Sequence, residues 1–216
     1  MLEIDEKIIL LLDEVKAKTG KSLSLIPRSN LPVRASLIEE ANRKKITIQY
    51  SPEKCEPGDL AYELLRAIQL NDKEWLNATS DLKTNNEAKK WIKTLVYMPW
   101  ILFELKRRGL TLKGILLDNF EVNLEYLKEE ESPYCHIEDL NLRLIFSAVN
   151  YAFYLLTKSE VDYGEKGTVY EELYKMKDPK ALKLGEETAK IIEKNKCLTP
   201  IEAKNALKEI FSLVKI

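Results

Sequence analysis

The chain has 216 residues, enough to bury one core, or a core with a helical appendage. A hydrophobic share of 45% and a charged share of 32% mark a globular rather than a disordered polypeptide. The 34 Lys and Arg nearly offset the 35 Asp and Glu, so a net charge of -1 supplies no global drive toward nucleic acid or an anionic membrane.

Met1-Leu2-Glu3-Ile4-Asp5-Glu6-Lys7 is acidic and lacks the basic opening of a signal peptide. The apolar run Ile8-Ile9-Leu10-Leu11-Leu12 is far too short to span a membrane, so the expectation is a cytoplasmic protein with no membrane partner. Ile4, Ile8, Leu11, Leu12 and Val15 recur at helical spacing and predict a first helix over about 4–18, stopped by Gly20. Ser22 to Ile26 reads as a strand closed by Pro27, and Ala35 to Glu40 as a second, with Asn42-Arg43 as the turn. Ile46-Thr47-Ile48-Gln49-Tyr50, alternating and β-branched, is the clearest strand. Pro52 and Pro57 make the next stretch a loop.

From Asp59 onward the pattern is helical. One helix runs to about Leu70, followed by a polar stretch from Asn71 to Asn86. A long helix is predicted over about 87–108, with Lys106, Arg107 and Arg108 at the negative pole of its dipole, Gly109 beyond its end, and Pro99 kinking or dividing it. Residues 113–130 form another, with a break expected near Asp118-Asn119. Glu129-Glu130-Glu131-Ser132-Pro133 marks a seam. His136 to about Ser159 is apolar enough for a buried helix, Asp178-Pro179 places an N-cap before an N1 proline, and Thr199-Pro200-Ile201-Glu202 is a capping box opening the last helix. The predicted fold is therefore α+β and mostly helical. A small N-terminal sheet of about three strands lies in a domain over 1–130, and 131–216 form a helical extension, packed on it or dimerising.

Cys55, Cys135 and Cys197 are far apart and in no CxxC spacing, which argues against a disulfide framework and a cysteine-rich zinc site. His136 is the single histidine; beside Cys135, Glu138 and Asp139 it reads as a hydrogen-bonded or exposed side chain near a helix start. Trp91, Tyr97, Trp100, Tyr151, Phe153 and Tyr154 sit in apolar helices, where core packing is the default and a ligand groove the sharper reading. Lys89, Lys90, Lys93 and the 106–108 cluster read as solvated surface. The glycines form no phosphate-binding loop.

The segment Leu60-Ala61-Tyr62-Glu63-Leu64-Leu65-Arg66-Ala67 has the frame of a zinc-protease helix. In HExxH, two imidazoles at i and i+4 grip Zn²⁺ and the glutamate at i+1 polarises the bound water. Here Tyr62 and Arg66 stand at the ligand positions and Glu63 at the general base. The order of strand 46–50, short loop and helix resembles gluzincin-like and ImmA/IrrE-like metallopeptidases. Val96-Tyr97-Met98-Pro99 resembles the Leu-Leu-Met-Pro-like ending of that group's second helix, although Glu87 lies one residue off the spacing of its glutamate ligand and Ala88 stands in the expected place. The resemblance covers roughly residues 35–110.

It implies a zincin-like scaffold with a cleft beside Tyr62, Glu63, Arg66, Ile48 and Met98, and a former edge strand at Ile46 to Tyr50 able to take up an extended peptide. A phenol of high pKa and a guanidinium without a lone pair are not zinc ligands, so no metal and no cofactor is expected. The expected function is a pseudo-metallopeptidase binding a peptide or protein partner. The alternatives are a hydrolase using Glu63 in a non-standard site, and a helical assembly protein forming a homo-oligomer. Read for periodicity alone, Asp59, Tyr62, Glu63, Arg66 and Gln69 form the polar face of an amphipathic helix, with Glu63 and Arg66 as an intrahelical ion pair or a solvated surface.

Overall fold

The computed structural model describes residues 5–38, 44–79, 86–129 and 133–216. Their fold is mostly helical α+β, with one three-stranded sheet. The elements run α1 (Glu6–Thr19), β1 (Ser22–Pro27), β2 (Ala35–Ile38), β3 (Lys45–Tyr50), α2 (Pro57–Asn71), α3 (Lys73–Ala78) and α4 (Glu87–Arg107). They continue with α5 (Lys113–Lys128), α6 (Leu140–Thr157), α7 (Glu165–Lys177), α8 (Pro179–Asn195) and α9 (Pro200–Val214). Two compact units result, one from Met1–Ser80 and Ile101–Ile115, the other from Asp81–Trp100 and Leu116–Ile216.

In the first unit, α1 starts at Asp5, whose carboxylate accepts the Lys7 N–H, and ends at Gly20 with φ +65°, a left-handed turn that glycine enters without cost. β3 is the middle strand, parallel to β1 and antiparallel to β2. This corrects the expectation of an edge strand at Ile46–Tyr50. The alternation and β-branching of that segment report burial, and Ile46 and Ile48 are indeed buried at 3% and 0% exposure, but a strand buried on its face can still have neighbours along both sides.

The outer edges can be read from the hydrogen-bond phase. Arg28 N–H donates to Tyr50 O at 2.8 Å, so the even-numbered residues of β1 face β3 and Leu23, Leu25 and Pro27 face outward. Pro27 thus stands where its missing N–H is harmless. Ser51 N–H donates to Arg34 O at 2.8 Å, which makes Ser36–Gln49 and Ile38–Thr47 the bonded pairs and turns the backbone groups of Ala35 and Leu37 outward.

Helix α2 packs against α1, β2 and β3. Pro57 occupies its first turn and the Asp59 carboxylate accepts the Glu56 N–H at 2.8 Å. Its start is pressed onto the turn before α5: a Cβ on Gly58 would lie 1.7 Å from the Thr111 carbonyl oxygen. The end of α4 is fixed by charge. Arg108 pairs with Glu14 of α1 at 2.6 Å and with Glu104, and Lys7 donates to the Gly109 carbonyl at 3.2 Å.

In the second unit, α6, α8 and α9 stack in turn, with α7 on α8. Gly185 of α8 lets α6 approach, since a Cβ there would stand 2.8 Å from the Ala148 carbonyl. The core holds Phe120, Leu124, Leu127, Tyr151, Tyr154, Tyr170 and Tyr174. The Tyr134 and Tyr174 hydroxyls lie 3.2 Å apart; with Tyr134 donating to Asn123 Oδ1 and Tyr174 to the Ser147 carbonyl, the two protons are used and the phenol oxygens meet as a polar contact. Asp178 and Thr199 cap α8 and α9, as their sequence signals predict.

Three expectations are corrected. α4 is not divided at Pro99, and α5 is not broken at Asp118-Asn119; buried Leu95, Val96, Met98 and Ile101 on either side of Pro99 hold the helix although one backbone bond is lost. The polar stretch after Asn71 contains α3, started by the Asp72 carboxylate on the Glu74 and Trp75 amides. Ile4, the Asn42-Arg43 turn and residues 130–132 of the expected seam lie outside the described residues.

Candidate functional site

Tyr62, Glu63 and Arg66 lie together on α2, on a face that is interior rather than solvated. Asp59, Tyr62, Glu63 and Gln69 are exposed by only 1%, 9%, 4% and 2%. This corrects the solvated-face reading. A helix covered by α1 on one side and by the sheet on the other buries polar residues as well, provided each finds a partner.

Glu63 finds two. The Arg66 Nη1 donates to Oε1 at 3.2 Å and to Oε2 at 2.9 Å, and the Leu37 N–H donates to Oε2 at 3.1 Å. Leu37 is one of the outward-facing residues of β2. The carboxylate therefore acts as the acceptor that a neighbouring strand's carbonyl would otherwise be. Three of its roughly four lone-pair sites are engaged. Burial pushes the Glu63 carboxyl above its ordinary range, against the opposing pull of Arg66 and of the Leu37 N–H.

The Arg66 guanidinium also lies 5.7 Å from the centre of the Tyr62 ring. Burial raises the Tyr62 phenol to about 12, with Arg66 lowering it and Glu63 adding to the rise. The guanidinium has no lone pair for a cation and repels one, and a phenol held neutral is at most a weak ligand. Among the described residues, no three His, Cys, Asp or Glu side chains gather as a metal cluster.

The remaining sequence candidates divide. Ile48 is fully buried in the middle of the sheet, on the same unit as α2. Met98 is also buried, at 1% exposure, and belongs to the second unit. His136 is exposed, its ring 5.2 Å from that of Tyr126, and Asp139 caps α6 through the Asn141 and Leu142 amides. Cys55 and Cys197 are buried, and burial raises both thiols to about 12, far from reactive thiolates. Trp91 packs edge-on against Phe146 at 4.7 Å, Lys89 lies over Phe211 and Lys93 over Tyr97. Leu37 is the member of the site that sequence reasoning missed. It contributes a backbone amide, and nothing in a strand of four residues marks which amide will meet a carboxylate.

No family model matches the chain, and no curated protein or solved structure matches it either. Among the described residues, no helix is long and apolar enough to cross a membrane.

Proposed function

We propose that this chain is a non-catalytic, zincin-like protein that binds a peptide or protein partner. The observation that carries this reading is the closed pair of Arg66 and Glu63, with 2.9 Å between Nη1 and Oε2. In a zincin the glutamate must face a metal-bound water and the residue at i+4 from the first ligand must donate a lone pair. Here the glutamate is held by a guanidinium and a backbone amide, and a positive charge stands at the sequence position of the second ligand. Arg66 keeps 30% of its side chain exposed, so it is the part of the site that an acidic group on a partner can reach.

Two measurements test the reading. Elemental analysis of the purified chain after incubation with excess Zn²⁺ and desalting should give far less than one zinc per chain; stoichiometric zinc, lost on Tyr62→Ala or Glu63→Ala, overturns it. Fluorescence anisotropy with a panel of extended acidic, basic and neutral peptides should show saturable binding that Arg66→Ala weakens at least tenfold for the acidic members. Absence of binding across the panel counts against the partner-binding half.

One observation favours a second reading, a hydrolase using Glu63: a buried carboxyl with a raised pKa is also what a general acid or base requires. A peptidase or esterase activity abolished by Glu63→Gln, with the fold intact, would replace the first reading by this one.

A further inference from the structure

In the second unit, the turn between α6 and α7 borders an open pocket of about 240 Å³. Tyr154 lines it from α6, Lys158 from the cap of that helix, Asp162 and Tyr163 from the turn, and Gly167 and Glu171 from α7. Its volume is just below the ~300 Å³ at which drug-sized pockets begin, so it suits a small molecule.

The wall is held by side-chain contacts. Tyr154 is only 7% exposed and its hydroxyl donates to Glu171 Oε1 at 3.0 Å. Tyr163 stacks on Phe120 at 4.2 Å and lies 5.5 Å from the Tyr154 ring. Asp162 Oδ1 accepts the Gly164 N–H at 2.8 Å. Gly167 lets α7 pack closely here: a Cβ there would stand 3.2 Å from the Tyr154 hydroxyl and 3.3 Å from Tyr163 Cβ, a tight fit.

Two carboxylates and one ammonium line the cavity, which leaves a negative charge in excess. The ammonium, Lys158, lies 5.9 Å from the centre of the Tyr154 ring and 3.8 Å from Glu171, beyond hydrogen-bond length, with half of its side chain exposed. The chain's own lysine thus marks where a cation rests, over an aromatic face and beside a carboxylate, without filling the place tightly.

We propose that this cavity binds a small organic ammonium, a primary amine held by Glu171 against the Tyr154 ring, with Asp162 supplying the unbalanced charge. Lys158 is then the competitor that the ligand displaces.

The test uses the full chain, uniformly ¹⁵N-labelled, titrated with n-butylamine, butyrate and n-butanol. The amine should shift the Gly164, Gly167 and Thr168 amides saturably, and the acid and alcohol should not. Glu171→Gln should weaken the amine at least tenfold, Asp162→Asn should weaken it severalfold, and Lys158→Met should tighten it. Equal shifts with butyrate, unchanged amine affinity in Glu171→Gln, or weaker binding in Lys158→Met each overturn the proposal. If circular dichroism shows that Glu171→Gln is unfolded, Asp162→Asn and Lys158→Met decide it alone.

Discussion

The Leu37 amide donates to the Glu63 carboxylate across 3.1 Å, so a helix side chain stands where the backbone of a further strand would run along β2. The outer edge of a sheet is a template for unwanted pairing unless something blunts it. Here the blunting group is also one half of the Glu63–Arg66 pair, so sheet edge and helix are tied through one side chain.

Glu63→Ala removes that tie. It leaves the Leu37 amide without its acceptor and Arg66 without its counter-charge on a mostly buried face. The expected cost is about 2–3 kcal/mol in urea unfolding, and Glu63→Gln, which can still accept from Leu37, should cost about half of that. Amide exchange at Leu37 should accelerate in the alanine variant, and sedimentation should show concentration-dependent association through the opened edge. Exchange at Leu37 as slow as in the wild type would count against the tie.

The pH dependence of Glu63 has an unusual sign. Burial raises its folded pKa above the ordinary value of 4.5, so the folded state holds a proton that the unfolded state has released. Its contribution to stability is full below 4.5 and is lost as pH rises through the raised value. Glu14 and Glu104 run the other way. Burial pushes each up, but the hydrogen bonds from Lys18 and Arg108 to Glu14, and from Arg108 and Arg107 to Glu104, prevail and lower both. Their stabilisation is present above 4.5 and fades as pH falls through the lowered values. Glu63→Gln should therefore flatten the loss of stability above pH 4.5 and leave the acid limb unchanged, while Glu104→Gln should flatten the acid limb. Urea midpoints measured from pH 2 to 8 check both.

Gly58→Ala should disrupt the first unit. A methyl group 1.7 Å from the Thr111 carbonyl cannot be accommodated without moving the start of α2 away from the turn before α5. The expected cost exceeds ~3 kcal/mol, within the range of severe overpacking. Gly20→Ala, with no atom within 4 Å but φ +65°, should cost only about 1 kcal/mol. Paired thermal melts of the two variants read the difference.

Tyr174→Phe should cost about 1–2 kcal/mol, because it leaves the Ser147 carbonyl short of its buried donor. Tyr126→Phe, on the edge of the same aromatic cluster, should change the melting temperature little. Equal effects would mean that ring packing rather than the hydroxyl network sets the stability there.

Much of the local structure was legible in the residues. Asp178 and Thr199 start their helices and Gly20 ends one, because a cap needs only its own side chain and the next few amides. The core strand Ile46–Tyr50 and the Glu63–Arg66 pair were legible for the same reason: alternation and i,i+3 spacing are local. A short helix such as α3 was not, since its apolar signal is little more than Trp75.

The sequence by itself determined several caps, the composition of the core and the donor chemistry at position 66: a guanidinium has no lone pair to give a zinc ion in any fold. Only the tertiary structure decided that β3 lies between two strands, that the polar face of α2 is interior, and that Glu63 meets an amide 26 residues away. Strand order and sheet edges arise from contacts between distant segments, and periodicity records how much of a residue is covered but not what covers it.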